Sequence, residues 1–437
     1  MTGLLNKIHI GFDTYRNALP MIRNQYNPDL IHATQIKKLK KLIQYCYSNI
    51  KYYRELFEQV GVNPEQINSI IDLSRIPITT KKELRDRFWD FLPRELPACR
   101  VSRTSGSTGV PVCLLSDRNS KVFNSAAVIR YRRALGINLF GEPILTPLKT
   151  EKEPNRNPHW TFLQGIHKTY YINPYLDTHG NIAYANNLLA QIKKPAIIGI
   201  TPAIRALAYR IRDGNFPSIK PRVVLTTGEC LDPNVRTLLA EVFDCVIADI
   251  YACNETGDIA WQCGKSSGYH INADNVIVEI VNADGNAVSV GDVGEVVITN
   301  LNRYAMPILR YKNGDRARLS QELCDCGCKL PLIAEIAGRT GDNVILPKGR
   351  IIPWNQLKSL MNHPQIRQFQ IMQTKNGNIV VRYIPENDTD TVSMEELLLS
   401  RYKVLLGSKI QIEIEVVKQI EPAPSGKTKL VVSNYRQ

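Results

Sequence analysis

The chain has no run of about 18 or more uninterrupted apolar residues, so no membrane-spanning helix is expected. Its opening, Met1-Thr2-Gly3-Leu4-Leu5-Asn6-Lys7, lacks the apolar stretch of a secretory signal, which points to a cytoplasmic protein. It also lacks internal repeats and low-complexity tracts, which excludes a solenoid and a disordered tail. Most of the ten cysteines are scattered singly, so a disulfide framework is not expected. Acidic residues are the scarcer charge, 41 against 55 Lys and Arg, leaving a formal net charge of +14. That balance suits nucleic acid, a membrane surface or anionic small molecules alike. The two basic runs, Lys37-Lys38-Leu39-Lys40-Lys41 and Lys81-Lys82-Glu83-Leu84-Arg85-Asp86-Arg87, fall on helical patterns without aromatic interleaving. They read as solvated helix faces, and no nucleic-acid partner is expected.

What is present is a chain of 437 residues, too long for one ordinary core and apolar enough to fill two or three. From about Asp29 to Leu92 apolar residues recur at helical spacing, as in Leu39, Leu42, Ile43 and Cys46, with Pro77 and Thr79-Thr80 marking a break and a new helix start. Farther on, β-like runs at 196–200 and 223–227 alternate with helical stretches at 202–211 and 234–243, which argues for α/β layering. From Asn275 the pattern turns to strands and hairpins, with Val276 to Val281 leading into the turn Asn282-Ala283-Asp284-Gly285 and then Gly294 to Thr299. A smaller β-rich subdomain is expected there. The last hundred residues repeat an α+β mixture, with strands near 368–373, 379–384 and 410–417 and a helix near 394–406. The division expected is a large domain over 1–338, a hinge at 339–342 and a small C-terminal domain over 343–437.

Several short segments carry chemistry. Thr104-Ser105-Gly106-Ser107-Thr108-Gly109 combines hydroxyl donors with glycines that let backbone N–H groups approach an anion, a pattern suited to phosphate. Thr226-Thr227-Gly228-Glu229, Asp249-Ile250-Tyr251-Ala252-Cys253-Asn254-Glu255, Arg310-Tyr311-Lys312-Asn313-Gly314-Asp315, Gly338-Arg339-Thr340-Gly341-Asp342 and Pro424-Ser425-Gly426-Lys427-Thr428-Lys429 follow in that order. The last ends like a Walker A loop, but Glu421 stands where that loop requires its earlier glycine. Cys263, His270, Cys324, Cys326 and Cys328 supply thiolate and imidazole ligands of the kind that bind tetrahedral zinc.

Six motifs in this order resemble the adenylate-forming enzymes, and most of all the phenylacetate-coenzyme A ligases and CapK-like proteins. The resemblance implies an α/β fold, with a large adenylation domain of layered sheets, helices and a β-rich subdomain, and a small mobile α+β C-terminal domain. It implies ATP, Mg2+ and coenzyme A as cosubstrates and a small-molecule carboxylic acid as substrate. Thr104 to Gly109 would grip the pyrophosphate, Gly228, Glu229, Asp249 and Tyr251 would lie along the nucleotide, and Glu255 would bind magnesium. Asp315 would take the ribose hydroxyls, Arg339 would reach the phosphates or ribose, Gly341 would be the pivot, and Lys427 would support adenylation. Some relatives are expected to carry a structural zinc, which here implies Cys263, His270, Cys324 and Cys326 as ligands, with Cys328 as a substitute for one of them. Departures from the family pattern are Ala252 in place of glycine, Asn254 in place of a hydroxyl residue, Gly341 in place of aspartate, and Ala423 near the position of a missing arginine. The segment from Phe140 to Pro174, with Trp160, Tyr170 and Tyr171, is the expected acid pocket and holds no decisive charged partner. Three functional readings remain: transfer to coenzyme A, transfer to an amine or hydroxyl acceptor, and a nucleotide-binding scaffold without catalysis. A homodimer is left open.

Overall fold

The computed structural model describes residues 2–103, 111–150, 159–161, 164–265, 268–339, 343–421, 430–433 and 435. The phosphate-type loop Thr104 to Gly109, the pivot Gly341, and Lys427 lie outside them, as do 151–158 and 162–163 of the expected acid pocket.

The N-terminal region is helical because its apolar residues fall on one side of well-capped segments. In Pro28–Asn49 the Asn27 side chain accepts from Asp29 N and Leu30 N, Pro28 opens the first turn, and Ile31, Leu39, Leu42, Ile43 and Cys46 form the buried face. The expected restart at Thr79-Thr80 resolves into two roles. Thr80 forms a capping box with Glu83 on Lys81–Asp86, while the buried Thr79 pairs its backbone with Arg310 and Lys312. Two helices did not stand out in the sequence: Thr2–Asn24, which begins well before Asp29, and Arg118–Ala134. The second is fixed by Asp117, which caps Ser120 N at 2.7 Å through one oxygen and receives Tyr304 N and Ala305 N at 2.6 and 2.7 Å through the other.

Among the described residues the main sheet has twelve strands. Val246–Cys253, Val223–Thr227, Ala196–Ile200, Ile144–Pro147 and His167–Ile172 run parallel, joined in part by the crossover helices His179–Gln191, Thr201–Arg212 and Pro233–Phe243. The other half is antiparallel: Gly257–Trp261, Tyr269–Ile271, Leu332–Arg339, Tyr311–Leu319, Val293–Asn300 and Val276–Val281, and the twelfth strand, His159–Thr161, lies antiparallel to His167–Ile172 at the opposite edge. The β-rich part expected from Asn275 is thus present as a continuation of the α/β sheet. The join is the three-residue strand Tyr269–Ile271, wedged between Gly257–Trp261 and Leu332–Arg339. One face of the sheet packs Ala248, Ile250 and Trp261 against Val128 and Tyr131, and the other packs Ile197, Val224 and Ile247 against Ile204, Leu207 and Leu238.

Beyond 343, strands Ile366–Gln373, Ile379–Pro385, Ile412–Val416 and Val431–Ser433 form a separate four-stranded sheet packed with Thr391–Leu406 and Trp354–Leu360. Its seam with the larger body is polar. Tyr209 Oη donates to Arg367 O at 2.8 Å, Arg367 meets Asp213 at 3.0 Å, and both Arg212 and Arg367 reach Glu386. A cavity of about 170 Å³ runs along this seam, bordered by Arg205, Tyr209, Arg212, Asp232, Arg367 and Glu386. Polar seams of this kind allow bodies to move relative to one another.

Candidate active site and a thiolate–imidazole cluster

In open α/β sheets ligands sit beyond the carboxyl ends of the parallel strands. Two of the motif segments leave the sheet at that edge, and two more are brought to it by the antiparallel strands. Val223–Thr227 ends at Gly228, whose φ of +86° suits a residue without Cβ, and Thr201 Oγ1 donates to Glu229 O at 3.2 Å. Val246–Cys253 ends in a hairpin with Gly257–Trp261 whose turn carries Asn254, which is exposed, and Glu255, which is buried.

Tyr251 Oη donates to Asp315 Oδ2 at 2.7 Å, and Arg339 Nε reaches Asp315 Oδ1 at 2.9 Å. Tyr311 Oη donates to Glu255 Oε1 at 3.1 Å. The structure thereby brings Tyr251, Asp315 and Arg339 into direct contact and sets Glu255 on the neighbouring Tyr311. Burial and the facing Asp315 hold the Tyr251 phenol far above its ordinary range, so it stays a donor. Asn313, a residue with no role in the sequence reading, joins the group: its Nδ2 donates to Tyr251 Oη at 2.7 Å and Asp315 Oδ2 at 2.8 Å, and its Oδ1 accepts from Asp315 N at 3.0 Å. The signal was available, since Asn313 stands where the family pattern has threonine. Arg310 of the same motif is 2% exposed in side chain and works as a strut, bound to Glu279 at 3.0 Å and to the carbonyls of Ile76, Ser74 and Gly285.

Asp249 behaves differently from its neighbours in the motif. Its carboxylate turns inward, with Oδ1 receiving Thr226 Oγ1 at 2.6 Å and Oδ2 receiving Tyr269 Oη at 2.9 Å. Burial raises its pKa from 3.8 to about 6. Folding therefore binds a proton more tightly than the unfolded chain does. The Asp249 contribution to stability is present below about pH 4 and is lost as pH rises through about 6, by up to roughly 3 kcal/mol for a two-unit shift. Asp249→Asn should flatten that part of the profile, and urea midpoints of both proteins at about pH 3.5 and about pH 7, on either side of this window, check it. A wild-type minus variant difference that does not change between the two pH values would contradict the assignment.

A second cluster lies at the join of the sheet halves. The ligand atoms of Cys263, His270, Cys324 and Cys326 all fall within 4.8 Å of one another. Cys263 Sγ is 3.6 Å from Cys324 Sγ, and Cys326 Sγ is 3.4 Å from His270 Nε2. Backbone N–H groups of Lys265 and Cys326 point at Cys263 and Cys324 sulfurs at 3.4 and 3.5 Å, which favours thiolates. Burial lowers His270 to about 4, leaving a neutral imidazole at neutral pH, the form that ligates metal. Cys328 faces away, with its sulfur 3.7 Å from Gln25 O. Of the expected pocket aromatics, Tyr170 is half-buried and packs against the core under the crossover helices.

Residues 344–434 match the family model of the CapK C-terminal domain. Along most of its length the chain is similar to a phenylacetate-coenzyme A ligase of Thermus thermophilus, at 27% identity over 81% of this chain and 82% of that one. The chain is thus similar to phenylacetate-coenzyme A ligases and to CapK. Protein CapK of Staphylococcus aureus is 22% identical over 92% of this chain and 89% of that one. Among solved structures, a 2-hydroxyisobutyryl-CoA ligase in its postadenylation state superposes with a TM-score of 0.74 at 18% identity, covering 91% of this chain and 88% of that one. The fold is shared with that ligase. Among the described residues no helix is long and apolar enough to cross a membrane.

Proposed function

We propose that this chain is an ATP-dependent, AMP-forming ligase that activates a carboxylic acid as its acyl-adenylate and passes the acyl group to coenzyme A. The observation that carries this reading is the contact of Tyr251, Asn313, Asp315 and Arg339 at the carboxyl edge of the parallel strands, with Glu255 on the adjoining turn. The acid oxygen attacks the α-phosphorus of ATP and pyrophosphate leaves. Two anions must meet in line, so the protein's work is positioning and charge neutralisation. Asp315 receives the ribose hydroxyls, Arg339 supplies positive charge beside them, and Tyr251 and Asn313 hold the Asp315 carboxylate in place. Gly228, Glu229 and Asn254 lie along the nucleotide, and Asp249 acts at one remove by bracing the Tyr251 strand. Thr104 to Thr108 hold the departing pyrophosphate, and Lys427 bridges the acid and ATP. Glu255, a buried carboxylate in the turn, fits a magnesium ion, which would spread charge from the phosphates. Residues 343–437 then swing about 339–342, withdrawing Lys427 and admitting the thiol of coenzyme A to the mixed anhydride.

The test is exchange of pyrophosphate into ATP driven by a panel of aryl and aliphatic acids. Lys427→Ala and Glu255→Gln should each lower it by about a hundredfold, the usual scale for one transition-state contact. Exchange that survives either change would remove that residue from the mechanism. Dependence of AMP release on coenzyme A tests the acceptor. A second reading, with an amine or hydroxyl acceptor, predicts AMP release that ignores coenzyme A.

The second cluster fits a structural zinc. Four ligands of two soft types leave no open position, so the metal would pin Tyr269–Ile271 to the loop before Leu332–Arg339.

A further inference from the structure

The turn that carries Glu255 is held by side chains from a segment that belongs to none of the six motifs. Cys253 pairs with Gly257 across the hairpin, so residues 254–256 form a three-residue turn closed by Gly257 at φ +82°. Such a turn takes its carbonyls out of the sheet ladder, and here Glu255 and Thr256 are buried, so those carbonyls need donors. Two side chains supply them. Arg303 Nη1 donates to Glu255 O, with Asn254 O farther off at 3.5 Å, and Asn300 Nδ2 donates to Thr256 O at 2.7 Å.

Arg303 reaches a second element at the same time. Its Nε donates to Leu115 O at 2.9 Å, and its Nη2 lies 3.5 Å from Ser116 Oγ. Both residues belong to Cys113–Asp117, which pairs with Cys99–Arg103 as a two-stranded sheet. In sequence these two strands flank the phosphate-type segment Thr104 to Gly109. Asp117, the last residue of its strand, fixes the neighbours of Arg303 by receiving Tyr304 N and Ala305 N. One guanidinium, itself 3% exposed, therefore ties the strand next to the proposed pyrophosphate grip to the turn of the proposed magnesium ligand.

Burying a charge there is costly, and a turn carbonyl alone can be met by a neutral amide, as Asn300 shows. What an amide or an ammonium cannot do is donate from separate nitrogens of one rigid plane to two elements. Magnesium gives a reason for that rigidity: it demands near-ideal octahedral geometry at about 2.0–2.1 Å, so ligands that share it tolerate little relative drift. We propose that Arg303 is a positioning residue for adenylation, setting the Glu255 turn against the strand beside the phosphate segment so that metal binding at Glu255 and nucleotide binding reinforce each other. This rests on the adenylation reading, in which Arg303 touches neither substrate nor metal.

The test is calorimetric binding of the α,β-methylene analogue of ATP, which cannot lose pyrophosphate, to the full-length protein in Mg2+ or in EDTA, alongside pyrophosphate exchange. The wild type should bind the analogue at least about tenfold more tightly with Mg2+. Arg303→Lys keeps the charge and one donor but spans only one of the two elements. It should cut that Mg2+ advantage at least about fivefold, leave metal-free binding within about twofold, and lower kcat for exchange at least about tenfold with the KM of the acid unchanged. If Arg303→Lys does not fold, Asn300→Ala, which frees only Thr256 O, should reduce the same advantage by about threefold, the scale of one neutral hydrogen bond. An unchanged Mg2+ advantage in Arg303→Lys, even with a lower melting temperature, makes Arg303 a strut of the fold and overturns the proposal; where that variant does not fold, an unchanged advantage in Asn300→Ala does so. A wild type that exchanges pyrophosphate but gains nothing from Mg2+ overturns it too, and all three results leave adenylation standing. A wild type that exchanges pyrophosphate with no acid and gains nothing from Mg2+ overturns both.

Discussion

Cys324→Ser should strip the protein of zinc and lower its stability by roughly 4 kcal/mol, a fraction of the about 10–16 kcal/mol that zinc supplies where it alone folds a small domain. The fraction is smaller here because the surrounding strands keep a hydrophobic core of Trp261, Ile271, Leu330, Leu332 and Ile333. The loss is still large because of where the cluster sits. Tyr269–Ile271 joins the sheet halves through a few pairings, His270 with Trp261 on one side and with Leu332 on the other, and His270 itself is a ligand. Removing the cation leaves one buried and one half-buried cysteine and an imidazole without the ion that ties them together, and the short strand loses its anchor. Elemental analysis of protein purified without chelator should find one zinc per chain in the wild type and none in Cys324→Ser, with a matching drop in melting temperature. Cys328→Ser is the contrast. Its sulfur contacts Gln25, so this variant should keep its zinc. A wild type without zinc, or metal loss in Cys328→Ser but not in Cys324→Ser, would refute the ligand set.

The helices of the N-terminal region were legible where a single local rule governs them, as at Thr80, whose side chain caps the residues that follow. The parallel strands were legible for the same reason, as short apolar runs separated by helical ones. Arg118–Ala134 was not, because both its faces are used. Ala126 and Ile129 pack against Ala18 and Met21 of the first helix, while Arg130 is buried with Asp274 at 2.8 Å, so its sequence shows no clean apolar stripe. The single sheet was also hidden, since it depends on Tyr269 pairing with Ile333, a contact across sixty-odd residues that no local pattern encodes. At the site, four of the six motif segments meet at the sheet edge, which their order alone did not state. Nor did that order say that Asn313 would bridge Tyr251 and Asp315, that Asp249 would turn inward, or that Arg303 would hold the Glu255 turn, because each depends on which way a side chain faces in the folded sheet.

Gly338→Ala should lift the C-terminal body from the sheet. Gly338 has φ +115°, a conformation that alanine adopts only under strain, and a Cβ there would stand 1.2 Å from the Trp354 indole nitrogen. That ring is fixed from both sides. Its N–H donates to Ala337 O at 3.0 Å, and its body is buried in the core with Val344, Leu346, Ile352 and Leu357. Backbone strain and overpacking together exceed about 3 kcal/mol, comparable to what a polar seam of this kind contributes to docking. The cheapest relief is therefore to release the seam, including the contacts of Arg367 with Asp213 and of Tyr209 with Arg367 O, and to leave each core intact. Limited proteolysis between 339 and 343 should become at least about tenfold faster, as expected for a shift of more than 1.4 kcal/mol in an opening equilibrium. Trp354→Ala in the Gly338→Ala background should restore part of the protection, because the obstructing ring is gone and only the backbone strain remains. Adenylation and thioester formation need different placements of residues 343–437 on the proposed mechanism, so Gly338→Ala should also change the ratio of pyrophosphate exchange to thioester formation. Cleavage at the wild-type rate would show that the Trp354 contact does not hold the C-terminal body in place.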